Sequence, residues 1–148
     1  MARSESKRLA ELVEVRALQH RSAEMALGKA DLALRQEQTQ FDQIDNDLHQ
    51  SLRRWQDAAQ RGSFDIALVG SFAAGVVDDQ ARLVAQQAKV QAANQAKENR
   101  AQDMRAADGR HQAIKEAART ARRRADSRAE EARLNATDDI LRRTRVAP

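Results

Sequence analysis

The chain has 148 residues, 32% of them charged and only 3% aromatic, with a formal net charge of +4. That balance leaves too little apolar bulk for a globular core. The absence of cysteine excludes disulfides and thiolate zinc sites, and no run approaches the ~20 apolar residues of a membrane span, so a soluble, unexported chain is expected. A basic chain of this kind suits an acidic protein partner, a membrane surface or nucleic acid.

Alanine makes up the largest part of the hydrophobic fraction, the one proline is Pro148, and Glu, Gln, Lys, Arg and Leu fill most of the rest. These are the residues of lowest helical cost. In the first half, Val13, His20, Leu27, Leu34, Phe41, Leu48 and Trp55 recur every seven residues. Leu9, Ala23, Ala30, Ile44 and Ala58 occupy the second heptad position, with polar lapses at Arg16, Glu37 and Ser51. This is a coiled-coil seam and predicts a helix over about 4–60.

The stretch RGSFDIALVG then breaks the pattern and predicts a turn over about 61–70. Gly62 suits a helix C-terminus and Ser63 the cap of the next helix. Phe64, Ile66, Leu68, Val69 and Phe72 make this stretch unusually apolar. They form either a cap over Trp55 or a docking knob.

The period resumes at Val76, Leu83, Val90, Lys97, Met104, His111, Ala118, Ala125 and Ala132, joined by Ala107, Ile114 and Ala121, and predicts a second helix over about 71–143. The expected fold is therefore all-α, a single two-helix antiparallel coiled-coil hairpin over 1–148 with an extended C-terminal helix. Folding about the turn pairs residues whose numbers add to about 131, such as Trp55 with Val76, Leu48 with Leu83, and His20 with His111. The second helix outruns the first from about Ser127, leaving Ala132, Leu134, Ala136, Ile140 and Leu141 uncovered.

No phosphate loop, paired-histidine zinc helix, Ser-His-Asp order or calcium loop occurs, so neither catalytic residues nor a cofactor or metal are expected. The adjacent pairs Asp78–Asp79, Glu130–Glu131 and Asp138–Asp139 diverge by about 100° on a helix and read as solvated faces. His20 and His111 read as a polar register layer, with a pH-sensitive or metal-binding contact as the sharper alternative. Trp55 reads as a seam anchor. Leu18, Met25 and Leu32 form a second stripe about 140° from the seam, either a broad apolar face or a partner contact. The second arm carries Arg119, Arg122, Arg123, Arg124, Arg128 and Arg133, then Arg142, Arg143 and Arg145, with acids between them. These form either a solvated face or a surface for acidic residues of a protein partner, and suit DNA less, which a basic-region helix grips from a leucine zipper that this chain lacks.

The segments SLRRWQDAAQRG, SFDIALVGSFAAGVV and EEARLNATDDILRRTRVAP, set in a hairpin of this length, resemble the FliJ/YscO proteins of flagellar and injectisome type III export. The resemblance is architectural and spans essentially the whole chain. It implies a γ-subunit-like stalk, cytoplasmic and peripheral at the inner membrane, that contacts a hexameric export ATPase, an export-gate membrane protein and export chaperones. By that analogy Leu18, Met25, Leu32, Arg119, Arg122, Arg123, Arg128, Arg133, Arg142 and Arg143 face the ATPase ring. Leu48, Leu52, Phe72 and Val76 face the gate, although Leu48 and Val76 also belong to the seam. Competing expectations are a general coiled-coil adaptor, a stalk element of another rotary ATPase, and a basic nucleic-acid-binding helix.

Overall fold

A computed structural model of the chain describes residues 2–61 and 65–145, with side chains from residue 5 onward. It is an all-α hairpin of two helices, α1 (Ala2–Gln60) and α2 (Ile66–Arg145), packed against each other. No cis peptide and no positive φ interrupts either helix among the described residues.

The turn is shorter than the sequence predicts, because Ile66–Gly70 belong to α2 and not to the connection. Asp65 sets this start. Its Oδ1 accepts the Ala67 and Leu68 amides at 3.0 and 3.4 Å, and its carbonyl accepts the Val69 amide at 3.0 Å. The two side-chain bonds satisfy amides that have no intrahelical partner and the carbonyl bond is the first of the helix, so Asp65 fills the capping role expected of Ser63. Gly62, Ser63 and Phe64 lie outside the described residues. Gly70 and Gly75 sit inside α2, with open space where a side chain would stand.

Packing divides the hairpin into two units, Met25–Gln102 and the paired terminal arms Met1–Glu24 with Asp103–Pro148. In the Met25–Gln102 unit, Leu27, Leu34, Phe41 and Ile44 of α1 and Leu83 and Val90 of α2 are half-buried, while Leu48, Ala58 and Gln86 are buried. Two polar lapses of the α1 seam find cross-helix partners here. The Ser51 hydroxyl donates to Asp79 Oδ2 at 2.6 Å, and buried Gln86 donates through Nε2 to the Glu37 carbonyl and to Glu37 Oε2 at 2.9 and 2.5 Å. The pair Ser51 and Asp79 has numbers adding to 130, one short of the expected register, whereas Glu37 and Gln86 add to 123, eight short of it. Polar layers of this kind fix register, because a slip would leave the buried amide without partners. Trp55, read as a seam anchor, keeps 38% of its surface exposed. One neighbouring helix covers only one side of so large a ring.

In the terminal-arm unit, Leu9, Val13, Arg16 and His20 of α1 and Met104, His111, Ile114, Ala118, Ala121 and Ala125 of α2 line the seam. Every one of them is only half-buried. His20 and His111 meet as the register requires, rings 6.0 Å apart between centroids and inclined by 27°. Arg16 stays on its own helix and donates to Gln19 Oε1 at 2.9 Å. α2 has 80 residues against 59 in α1, and every side chain from Asp126 to Arg145 is exposed. Ala132, expected in the seam, is among them, because α1 offers nothing opposite it.

Candidate functional site

In the terminal-arm unit a groove lies on each side of the alanine-rich seam. The larger has a volume of about 1040 Å³. Ala10 and Val13 of α1 and Ala118, Ala125 and Ala129 of α2 form its apolar floor. Lys115, Arg119, Arg122 and Arg133 rim it, interrupted by Glu14 and Asp126. The smaller, about 400 Å³, lies on the other side of the seam, shares Ala125, and is bordered by Leu9, Arg124 and Arg128.

All of Arg119, Arg122, Arg123, Arg128, Arg133, Arg142 and Arg143 are exposed. The Arg119 guanidinium pairs with Glu116 one turn earlier at 3.1 Å. By sequence, the terminal-arm unit holds 17 Lys and Arg against 12 Asp and Glu, and the Met25–Gln102 unit holds 9 against 10. The basic surplus of the chain therefore resides in the unit that carries the grooves. Leu12, Val15 and Leu18 of α1 and Leu134, Ile140 and Leu141 of α2 add exposed apolar area there.

His20 Nε2 lies 3.5 Å from Asp108 Oδ1 and 3.7 Å from Glu24 Oε1. These carboxylates pair with the imidazole when it is protonated. Among the described residues no group of three or more His, Asp or Glu is arranged to hold a metal ion.

In the Met25–Gln102 unit, Met25 and Leu32 are 65% and 57% exposed on the outer face of α1. The residues expected to face a membrane gate are split by the structure. Leu48 is buried, which settles its conflict between seam and surface in favour of the seam, while Leu52, Phe72 and Val76 are half-buried. Ile66 and Leu68 are exposed, as are Val77 and Val84, two residues absent from the sequence-based set. Their signal was visible as the doublets Val76–Val77 and Leu83–Val84, seven residues apart, in which only the first member is needed by the seam.

Asp31 on α1 accepts from Lys97 Nζ at 2.8 Å and from Arg35 at 3.0 Å. The Lys97 hydrogen bond, opposed by partial desolvation and helped by the Arg35 charge, holds the Asp31 carboxyl below its usual range.

No described helix is long and apolar enough to cross a membrane. Compared with known proteins, the chain matches no family, no curated sequence and no solved structure.

Proposed function

We propose that this chain is a non-enzymatic stalk of a type III protein export apparatus, which binds a hexameric export ATPase through its terminal arms and couples it to a membrane export gate. The observation that carries this reading is the terminal-arm unit, where an exposed arginine-rich helix outruns its partner and the seam beside it lies open. An obligate interaction element needs such surfaces, since exposed apolar residues beside arginines give contact area and charge complementarity together. The resemblance to FliJ/YscO hairpins supplies the identity of the partner. The exposed apolar first turns of α2, Ile66 and Leu68, with half-buried Phe72 and Val76, are the surface for the gate.

The test is to add the purified chain to its cognate export ATPase and follow turnover and ring assembly. Raised turnover or faster assembly supports the reading; no binding and no change in either overturns it. A general coiled-coil adaptor with the same fold predicts capture of a partner that is not a ring ATPase.

A further inference from the structure

We infer that the larger groove of the terminal arms is the seat of a third helix, an acidic amphipathic segment of a partner protein. The inference rests on the reading of these arms as a partner-binding surface, though not on that partner being an ATPase.

The first observation is an unsealed seam. Every residue that the chain buries, Leu48, Ala58 and Gln86, lies in the Met25–Gln102 unit, whereas Val13, Ala118 and Ala125 of the terminal arms remain part-exposed among the described residues. A two-stranded coil with alanine at its core positions buries little apolar area, and a third strand would bury what the pair leaves open. The second is dimension. The α2 lining runs from Lys115 to Arg133, about 27 Å or five helical turns at 1.5 Å per residue, and the α1 lining from Ser6 to Glu14, about 12 Å, so an incoming helix meets both arms over about two turns and α2 alone over the rest. A floor of alanine accepts leucine-sized side chains from such a helix, as small residues elsewhere let helices approach closely.

The third observation is charge. Lys115, Arg119, Arg122 and Arg133 outnumber Glu14 and Asp126 around the rim, within a unit that holds the basic surplus of the chain. Acidic residues flanking the apolar face of an incoming helix would meet these cations, and basic ones would be repelled. Nucleic acid fits the groove less well, because the alanine floor offers nothing to a phosphate backbone and the two carboxylates interrupt the basic rim.

The experiment uses the whole chain and a fluorescent synthetic helix of about three heptads, with leucine at the core positions and glutamate at the flanking ones. Its twin carries lysine in place of glutamate; duplex DNA of roughly 20 base pairs and phosphatidylserine vesicles complete the set. Fluorescence anisotropy is expected to show saturable one-to-one binding of the glutamate helix. Ala129→Trp, which fills the groove from an exposed position, and the double change Arg119→Glu with Arg122→Glu are each expected to weaken it about tenfold or more, a loss of at least ~1.4 kcal/mol. Arg53→Glu with Arg54→Glu, exposed in the Met25–Gln102 unit and outside the groove, is expected to leave it within about twofold. Circular dichroism on each variant establishes that the hairpin is intact, and the charge-reversed variant decides the matter if Ala129→Trp is not.

Equal binding of the lysine twin, unchanged binding by the groove variants, or displacement of the peptide by DNA or vesicles would overturn the inference. The ATPase measurement stands apart from these outcomes. Stimulated turnover without peptide binding overturns the groove alone, and peptide binding without any effect on the ATPase overturns the export assignment alone.

Discussion

Leu48 and Leu32 stand on the same helix sixteen residues apart and answer to different constraints. Leu48 is 9% exposed in the seam and Leu32 57% exposed on the outer face. Leu48→Ala should therefore destabilise by about 2–3 kcal/mol, the transfer and cavity terms of a buried leucine. Leu32→Ala should change stability by no more than ~0.5 kcal/mol. Urea unfolding of both variants checks the pair, and a large loss in Leu32→Ala would contradict the assignment of that face to partners. Asp31 gives a pH signature at the same scale. Its carboxyl titrates lower in the folded chain than in the unfolded one, so the contribution of its contact with Lys97 is present above the usual value of 3.8 and lost as pH falls below it. Thermal melts between about pH 5 and about pH 2 should show Asp31→Asn losing less stability on acidification than the parent.

At the scale of the helix, heptad spacing made most of the fold legible, including the meeting of His20 with His111, because a seven-residue apolar period constrains both helices and the register between them. What spacing could not reveal was the reason for the lapses at Glu37 and Ser51. Read along one helix they are defects; across the pair they bond to Gln86 and Asp79, and a single-helix period carries no trace of that. The start of α2 was misplaced for a related reason. Ile66, Leu68 and Val69 resemble an apolar turn, and Ser63 and Asp65 are comparable caps by composition. The amides of Ala67 and Leu68 go to Asp65. Asp65→Ala should accordingly cost ~1 kcal/mol, measured by thermal melting. Gly70→Ala and Gly75→Ala, interior to α2 with nothing within 4 Å of the added Cβ, should each stabilise by about 0.5–1 kcal/mol. Destabilisation by these alanines would place the start of α2 beyond residue 70.

For the molecule as a whole, a net charge of +4 conceals an uneven distribution of charge. The surplus belongs to the terminal arms, and only the folded hairpin assigns residues 1–24 and 103–148 to one unit. The arginines were legible as a run in the sequence; the groove between them was not, since it arises from alanines of α2 standing beside Ala10 and Val13 of α1. Partner binding at these arms is the central claim, and hydrogen exchange of the full chain with and without the export ATPase tests it most directly. Slowed amide exchange along residues 5–14 and 115–145 is the expected result, because bound helix opens less often. Protection confined to residues 66–84, or none anywhere in the chain, would contradict it.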